Sequence, residues 1–518
     1  MNLLPKQSWN RPSIYPVILC CLLGLCLMQR LALAATPLAE EINKVLHTHK
    51  IPTSDLSLYV SEVSSDKPSL EVNAKAPRNP ASVMKLVTSL MALDTLGPNY
   101  RWKTEAYVRG SLNQGSLDGD LILKGYGDPA LTPERFWQFL YGLRERGIRV
   151  IRGDVILDGS HFAQTKEQRG DFDGRPRRAY NAIPYALSLN FQATQIQLVP
   201  DQTSNTVHAF TYPPLANMQI RNQMQLVSGS CRGQRATPAM HLSEQNSGAT
   251  LELKGEYAAS CPEWNSTYLV MDPAEHLGGA FKALWEELGG ELKGRVKTGL
   301  LPSQSKRFHS IESPTLAEVI RDMNKYSNNL MSRMLLLTVA AESGSLPATQ
   351  EQGQGLIKDW LRKWQLPAAL VRVSNGSGLA REAQVSAELV GRMLQAAYAS
   401  PLMPEYISSL PLVGIDGTMR KRLRKTDLVG RAHIKTGSLR DVSAMAGYVQ
   451  DRNDRRWAVA LIINHKGLQS WQGKQVQDAV LRWLYQGQDI KPLKGRIATA
   501  ALSKCEDGKN TAACNPLQ

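Results

Sequence analysis

The apolar residues of this chain follow two patterns, one with the spacing of helices and one typical of short strands. From Ser82 to Leu96 almost every side chain is apolar or small, which predicts a helix buried nearly all round. Gly97-Pro98 ends this helix, since both residues are common just past a helix C-terminus. Upstream, segments 55–61 and 69–72 predict a first pair of strands.

In the last third of the chain the apolar residues again follow the helical pattern, and strands are predicted after it. Ser313-Pro314 predicts an N-cap and a first helical position, because apolar residues follow at helical spacing. The polar segment 324–329 (NKYSNN) interrupts two apolar helices, and 385–400 predicts a third. Two strands and a closing helix are then expected at residues 441–450, 456–464 and 470–487.

Between the two helical parts lies a long region of short strands bounded by glycine. The segments GDLILKG (119–125) and GDVILDG (153–159) are near copies, which indicates either a small duplication or two similar turns. We interpret the region as one or more inserted β-rich domains within a discontinuous second domain. The predicted boundaries are 103–303 for the insertion, 35–102 and 304–490 for the discontinuous domain, and 491–518 for a polar tail.

The first 34 residues have the layout of a secretory signal peptide. Lys6 and Arg11 precede an apolar run of about 15 residues, and Ala32 and Ala34 mark a cleavage site. The alternative is a membrane anchor, but a spanning helix needs roughly 20 apolar residues. We therefore expect export to the cell envelope without a stable membrane anchor, and the tail is not amphipathic enough to supply one.

Four cysteines remain after the predicted cleavage, namely Cys231, Cys261, Cys505 and Cys514. An even number in an exported chain predicts two disulfides, and pairing by proximity gives Cys231–Cys261 and Cys505–Cys514. There is no CxxC or clustered Cys/His pattern, so we expect no structural metal and no cofactor.

Composition and charge limit the kinds of molecule that this protein is expected to bind. At 518 residues, 42% hydrophobic and 21% charged, the chain is typical of a folded protein with more than one domain. Its net charge of +15 favours an anionic envelope polymer or membrane surface as a neighbour. Nucleic acid is the other interpretation, but no basic stripe alternates with aromatic residues, so we expect no nucleic-acid partner.

The first candidate for chemistry is Ser82 with Lys85, in the segment SVMK. Residues i and i+3 share a helix face, so the hydroxyl and the amine can meet. A lysine activates a serine only if burial or a second cation lowers the pKa of its amine. The spacing also occurs at Ser64–Lys67 and Ser303–Lys306, but both lie in polar stretches where the lysine stays solvated. Only SVMK stands at the start of a buried helix.

Two further elements follow in the chain. Ser-Asn-Asn at 327–329 falls in the break between two helices, where side chains can point into a cleft; the alternative is a helix cap. Lys-Thr-Gly occurs twice, at 297 and at 435. The copy at Lys435 lies on a short strand followed by a hairpin and a helix, and could present a cation, a hydroxyl and bare backbone at a sheet edge. The copy at Lys297 precedes Leu-Leu-Pro without such a hairpin, and we expect it to have no catalytic role.

The order SxxK, SxN, KTG is the signature of penicillin-binding proteins and serine β-lactamases. The chain most resembles the low-molecular-mass D-alanyl-D-alanine carboxypeptidase/endopeptidase family of the penicillin-binding protein 4 type, peptidase family S13. The resemblance extends to about residue 487 and rests on the segments PASVMKLVTSLMAL, KYSNNLMSRML, NGSGLAR, SLPLVGIDGT and KTGSLRDVSAMAGYV. It implies an α+β fold of the β-lactamase/transpeptidase type, an antiparallel sheet flanked by helices, with a large insertion.

The resemblance also implies a role for each matched side chain. Ser82 would be the acylated nucleophile and Lys85 its general base. Ser327 would relay a proton to the departing nitrogen, and Asn329 would hydrogen-bond the substrate backbone. Lys435 would attract the terminal carboxylate of the substrate and help to keep Lys85 neutral.

Substrate-binding roles follow for the strand at 435. Thr436 offers a hydroxyl, Gly437 permits close approach of the substrate backbone, and the N–H of Ser438 would complete an oxyanion hole with that of Ser82.

Three residues are implied in reading the side chain of the substrate. Arg381 matches a family arginine in the GSGL-x-R segment, and Arg440 stands where some relatives have glutamine. Asp173 is the nearest match to an aspartate that holds the amine of diaminopimelate in some members.

The function that the resemblance implies is a periplasmic serine acyl-transfer enzyme acting on peptidoglycan stem peptides. It would cleave the D-Ala–D-Ala bond and D-Ala–diaminopimelate cross-links, and β-lactams would acylate Ser82. Two alternatives stay open, a β-lactamase and a non-catalytic envelope-binding protein that kept the fold. Assembly into a homo-oligomer is also open.

Overall fold

The structure is a computed structural model that describes residues 38–245 and 248–487. The predicted signal peptide, the polar tail and the predicted Cys505–Cys514 pair lie outside the described residues. Within those residues, no helix is long and apolar enough to span a membrane. The same residues contain no group of three or more His, Cys, Asp or Glu side chains that could hold a metal ion.

The described part of the chain contains both strands and helices. The strands are β1 Leu56–Glu62, β2 Leu70–Val72, β3 Lys103–Asn113, β4 Ser116–Gly125, β5 Val150–Ile151, β6 Val155–Asp158, β7 Thr194–Asp201, β8 Thr206–Tyr212, β9 Met218–Val227, β10 Ala239–Gln245, β11 Gly248–Ala258, β12 Trp264–Tyr268, β13 Glu291–Leu292, β14 Val296–Thr298, β15 Lys306–Glu312, β16 Ala432–Leu439, β17 Val442–Gln450 and β18 Arg456–Asn464. The helices are α1 Glu40–Thr48, α2 Met84–Leu96, α3 Pro133–Glu145, α4 Pro273–Glu287, α5 Leu316–Tyr326, α6 Asn329–Glu342, α7 Gln350–Lys363, α8 Ala387–Ala399, α9 Met403–Ser408 and α10 Ser470–Gln486.

A five-stranded sheet in the order β16-β17-β18-β1-β2 joins the two ends of the described chain. All of its pairings are antiparallel. Along β17, Ala444, Ala446 and Tyr448 pack among the helices of one face, while Met445 and Val449 pack with α1 and α10 on the other. Both faces are therefore buried, which explains why β17 and β18 read as continuous apolar runs. The predicted α+β fold is confirmed.

The region from β3 to β15 forms three further sheets. A seven-stranded sheet contains β3, β4 and β15, and two three-stranded sheets have the orders β10-β11-β9 and β12-β7-β8. The near-copy segments lie side by side, because β4 and β6 pair in parallel with Leu121 opposite Val155. β15, which begins after the predicted boundary at residue 303, pairs with β3. The domain division stays a prediction, and this pairing moves its second boundary to about residue 312.

One local prediction is wrong. Helix α5 begins at Leu316 with Thr315 as its N-cap, not with Ser313 and Pro314. Thr315 and Glu318 form a capping box, in which the Thr315 hydroxyl accepts from the Glu318 N–H and the Glu318 carboxylate accepts from the Thr315 N–H. Two satisfied backbone donors outweigh the single cap that Ser313 could supply. The Ser313 hydroxyl instead accepts from the N–H of Trp102.

The predicted Cys231–Cys261 disulfide is present, with the two Cα atoms 4.9 Å apart. We expect the double variant Cys231→Ser/Cys261→Ser to lose roughly 3 kcal/mol of unfolding free energy, because the bond closes a loop of about 30 residues. Denaturant unfolding of both proteins tests this. Equal midpoints and equal slopes would contradict it.

Candidate active site

Ser82 lies in a 3₁₀ turn, Ala81–Val83, that leads directly into the buried helix α2. Asn79 fixes this turn, because its Oδ1 accepts from the N–H of Ala81 at 2.9 Å. The Nδ2 of the same side chain donates to the carbonyl of Ala380 at 2.8 Å. The turn is thereby tied to the NGSGLAR segment, and the Ser82 side chain borders an open groove.

Lys85 is completely buried one turn after Ser82. Its Nζ lies 3.1 Å from Ser82 Oγ, 2.6 Å from Asn329 Oδ1 and 2.7 Å from the carbonyl oxygen of Ser377. Burial lowers the pKa of the Lys85 amine well below its usual value, and the nearby charge of Lys435 lowers it further.

A neutral amine fits these three contacts. It has two N–H donors and one lone pair, and two of its neighbours, Asn329 Oδ1 and the Ser377 carbonyl, accept hydrogen bonds only. The lone pair is then left for the third neighbour, the hydroxyl of Ser82. This arrangement directs the base at the proton that a nucleophilic serine must lose.

The second lysine of the site, Lys435, is also completely buried. Its Nζ donates to Ser327 Oγ and to the carbonyl of Thr436, each at 2.8 Å. Burial lowers the pKa of Lys435 to about 7. Ser327 occupies the predicted break between α5 and α6, in the left-handed conformation with φ 59°, and this geometry turns its side chain toward the strand. The structure thus joins the second and third motifs by a direct hydrogen bond.

The edge of the main sheet is covered over half of β16 and open over the other half. Segment 411–413 covers the first half through the bonds Ile434 N–H to Pro411 O and Val413 N–H to Ala432 O. This cover ends one residue before Lys435. Gly437 lies against the serine turn, since a Cβ there would come within 2.8 Å of the Ser82 nitrogen. Gly437 is therefore needed by the protein's own packing, in addition to any approach of substrate.

Thr436 and Ser438 border the same groove as Ser82 and Ser327. The Thr436 hydroxyl donates to the hydroxyl of Thr418 at 2.9 Å. The groove encloses about 580 Å³. An extended peptide laid along the open half of β16 would pass over the Ser82 hydroxyl, in the manner of strand addition at a sheet edge.

Arg381 and Arg440 lie beside this centre, at the exposed end of β16. Arg381 Nη1 donates to the Arg440 carbonyl at 3.4 Å, and its guanidinium lies 4.6 Å from the centre of the Phe172 ring. Phe172 belongs to the charged loop RGDFDGRPRR (169–178), which lies within the predicted insertion. The loop and the NGSGLAR segment therefore meet at one side of the site.

Asp173 is adjacent to Phe172 in that loop. Its carboxylate accepts from the Tyr180 hydroxyl at 2.7 Å and from Asn181 Nδ2 at 2.8 Å. Burial alone would raise the pKa of Asp173, but these hydrogen bonds outweigh it and the pKa is lowered. The carbonyl of Tyr180 in turn accepts from Asn329 Nδ2 at 3.1 Å. Asp173 is thus linked to the motif residues through Tyr180.

Lys297, the second Lys-Thr-Gly copy, lies on β14 within the seven-stranded sheet. Its side chain is 53% exposed and pairs with Asp154 at 2.5 Å. It does not border the groove that contains Ser82. The structure separates the two copies as the motif order predicts.

Several residues of the site were missed from the sequence. Asn79 and Thr418 act through side-chain hydrogen bonds, and Ser377 and Tyr180 act through backbone carbonyls. Thr418 lies within the segment SLPLVGIDGT and Asn79 directly precedes PASVMKLVTSLMAL, so the segments that carry the family resemblance were the available signal. A contact made by a backbone carbonyl cannot be predicted from the residue type, because every residue has a backbone carbonyl.

A model of the D-Ala-D-Ala carboxypeptidase 3 (S13) family matches residues 38–486. The chain belongs to this family. It is 24% identical over 431 residues to the D-alanyl-D-alanine carboxypeptidase DacB of Haemophilus influenzae, covering 83% of this chain and 89% of that one. It is 25% identical over 433 residues to the D-alanyl-D-alanine carboxypeptidase of Actinomadura sp. strain R39, covering 80% and 78%. This S13 member is accordingly a serine-type D-Ala-D-Ala carboxypeptidase.

Solved structures agree on the fold. The crystal structure of penicillin-binding protein 4 (dacB) from H. influenzae matches with a TM-score of 0.72 at 21% identity, covering 86% of this chain and all of that one. The same protein in complex with a β-lactam matches with a TM-score of 0.68 at 21% identity, with the same coverage. The resemblance proposed from the motifs is confirmed.

The contacts of Lys85 generate a stability prediction. Its pKa is depressed in the folded state, so below the unfolded pKa of 10.5 the folded protein binds this proton less tightly than the unfolded chain does, and burial of the amine costs stability. We expect Lys85→Met to raise the unfolding free energy at pH 6 by about 1 kcal/mol or more, and the gain to shrink as the pH approaches 10.5. Denaturant unfolding across this pH range measures it.

Lys325→Met is the matched control. Lys325 is also buried, but it donates to the Leu410 carbonyl at 2.9 Å and pairs with Asp416 at 2.6 Å. Its loss leaves a carboxylate without its partner, so this variant should be destabilised by roughly 1–3 kcal/mol. Destabilisation of both variants by similar amounts would show that Lys85 does not carry a burial penalty.

Proposed function

We propose that this S13 protein is an exported serine DD-peptidase of the cell wall. It hydrolyses the terminal D-Ala–D-Ala bond of stem peptides and the D-Ala–diaminopimelate bond of peptidoglycan cross-links, through an acyl-enzyme on Ser82. The observation that carries the proposal is the position of the buried Lys85 amine, 3.1 Å from Ser82 Oγ with its two other contacts made to acceptors. The signal-peptide pattern of the first 34 residues supports export.

Acylation follows from these contacts. Lys85 takes the proton of Ser82 as Oγ attacks the carbonyl carbon of the penultimate D-alanine. The carbonyl oxygen becomes an oxyanion, which the N–H groups of Ser82 and Ser438 stabilise. The backbone at Ser82 belongs to a rigid turn, and Ser438 lies on the uncovered half of β16, so both donors are available before substrate arrives.

Departure of the leaving group uses the second lysine. Ser327, bound to Lys435 at 2.8 Å, passes a proton to the departing nitrogen, and the proton that Lys85 took from Ser82 replaces it, which leaves Lys85 neutral again. Lys435 and the hydroxyls of Thr436 and Thr418 attract the carboxylate next to the scissile bond. Water then hydrolyses the ester, with Lys85 again accepting a proton, and releases the shortened peptide.

A β-lactam has a strained amide and a nearby carboxylate, and therefore imitates the same substrate. The β-lactam complex of the H. influenzae protein supports binding of the same class of molecule by this S13 member. β-Lactams are thus expected partners of Ser82, alongside peptidoglycan stem peptides.

Recognition of the substrate side chain falls to the loop that carries Asp173. Its carboxylate is held by Tyr180 and Asn181, and Arg381 stacks on the adjacent Phe172. A carboxylate beside the acyl side of the groove suits the amine of diaminopimelate, while Arg381 and Arg440 suit its carboxylate.

The β-lactamase alternative requires rapid hydrolysis of the penicilloyl ester, usually with a carboxylate that activates water. Among the described residues, no carboxylate forms an ion pair with Lys85 or Lys435. The binding-protein alternative has no need of a neutral buried base. Slow release of bound penicillin separates the peptidase from the first alternative, and failure to label separates it from the second.

Ser82→Ala should abolish covalent labelling by a fluorescent penicillin and lower stem-peptide hydrolysis by about 10⁴-fold or more, since the acyl-enzyme cannot form. Gel fluorescence and product mass measure the two effects. Ser64→Ala is a suitable control, because Ser64 begins a second SxxK match and its hydroxyl contacts Glu62 at the surface. Labelling of Ser82→Ala at the wild-type rate would place the nucleophile elsewhere.

Lys435→Ala should slow acylation by benzylpenicillin by about 10²-fold or more, because it removes the carboxylate partner and the cation that depresses the pKa of Lys85. Lys297→Ala should stay within a few-fold of wild type, since an exposed lysine contributes little. Second-order acylation rates of the two variants, measured side by side, decide the assignment. A slower Lys297→Ala would overturn it.

A further inference from the structure

The groove at Ser82 does not end at the residues that the proposed chemistry uses. Beyond Thr436 and Thr418 it continues between the loop after Gly417 and the first turns of α10. The lining there is strongly basic, with Arg420, Lys421 and Lys474 on its walls. The catalytic centre thus opens on one side into a cationic channel.

These three cations have no acidic partner among the described residues, since no ion pair involves any of them. Arg422, from the same basic run, behaves differently. It pairs with Asp478 and donates to Gln477 Oε1 at 2.6 Å. The charge of Arg422 is therefore used within the fold, whereas the other three charges are exposed to the groove.

The loop that carries Arg420 and Lys421 is held at both ends. Before it, Asp416 pairs with the buried Lys325 at 2.6 Å. After it, Arg422 Nη2 donates to the carbonyl of Lys474, at 3.0 Å, and so ties the loop to α10. Cations held in place lose less conformational entropy when they bind an anion than cations on a free loop.

The position of the channel indicates which part of a substrate would enter it. Arg381 and Phe172, which we assign to the acyl side, do not border this groove. Thr436 and Thr418, which we assign to the carboxylate next to the leaving nitrogen, stand at the entrance of the channel. The channel therefore extends the leaving-group side. A departing D-alanine has one carboxylate, whereas a departing stem peptide carries further carboxylates on its glutamate and terminal residues.

We propose that Arg420, Lys421 and Lys474 form a subsite for the acidic leaving peptide of a cross-link, and that this subsite favours endopeptidase over carboxypeptidase cleavage. The inference rests on the proposed function and adds a specificity to it. Exposed charges act over about 8 Å at physiological ionic strength, so the preference should weaken as salt is added.

The test compares two substrates on each protein. The first is a monomeric pentapeptide muropeptide, which releases D-alanine, and the second is a cross-linked muropeptide dimer. The readout is the ratio of kcat/KM for the dimer to kcat/KM for the monomer, which is insensitive to partial loss of folded protein. We expect Arg420→Ala/Lys421→Ala to lower the ratio by about fivefold to tenfold, as for the loss of two exposed charge pairs.

Two further variants sharpen the result. Arg424→Ala/Lys425→Ala removes the same charge from the same basic run outside the groove lining, and should leave the ratio unchanged. Arg420→Lys/Lys421→Arg keeps the charge and should restore the ratio to within about twofold of wild type. Raising the salt concentration should lower the wild-type ratio toward that of the groove variant.

The outcomes distinguish failure of the subsite proposal from failure of the proposed peptidase function. An unchanged ratio in the groove variant, or an equal fall in the Arg424/Lys425 variant, would overturn the subsite while leaving the peptidase intact. An equal fall in the rate of hydrolysis of whole sacculi by both double variants would instead indicate that these cations attract an anionic polymer in general. Wild-type protein that releases no D-alanine from the monomer would overturn the proposed function itself.

Discussion

Two buried lysine amines, neither of which pairs with a carboxylate among the described residues, are the constraint around which this structure is arranged. Lys85 and Lys435 both have no solvent exposure. Amide and hydroxyl oxygens from different parts of the chain satisfy them, including Asn329, Ser377 and Ser327. Burial without a counterion disfavours the charged form, so the fold itself supplies a base that water would not allow. A well-packed core is what offsets this cost.

The main sheet provides the second part of the arrangement by leaving half of one edge unpaired. An exposed edge is ordinarily a hazard, because it can pair with any extended chain. Here segment 411–413 runs antiparallel to β16 and covers it only as far as Ile434, whose N–H donates to the Pro411 carbonyl. The uncovered half begins at Lys435. Backbone pairing is therefore offered only where a peptide bond would also meet the serine and the lysine.

Much of this could be predicted from the sequence, because burial leaves a pattern. The run from Ser82 to Leu96 predicted a buried helix and α2 is one, and the polar break at 324–329 placed Ser327 between two helices. The two near-copy segments turned out to pair with each other, which the sequence left open. What escaped prediction depends on contacts between distant backbones, such as the carbonyl of Tyr180 on Asn329. The helix start at Thr315 escaped because two possible caps stood close together.

The Asn329 amide shows how the insertion and the catalytic centre constrain each other. Its Oδ1 accepts from Lys85 and one of its two N–H groups donates to Tyr180, whose hydroxyl holds Asp173. An amide nitrogen carries two hydrogens, so one donor stays available for the backbone of a substrate. The contact with Tyr180 therefore helps to fix the orientation of this amide, and with it the position of the oxygen that accepts from Lys85. We infer that the loop proposed to read the substrate side chain also helps to position Lys85, which would couple specificity to the reactivity of Ser82.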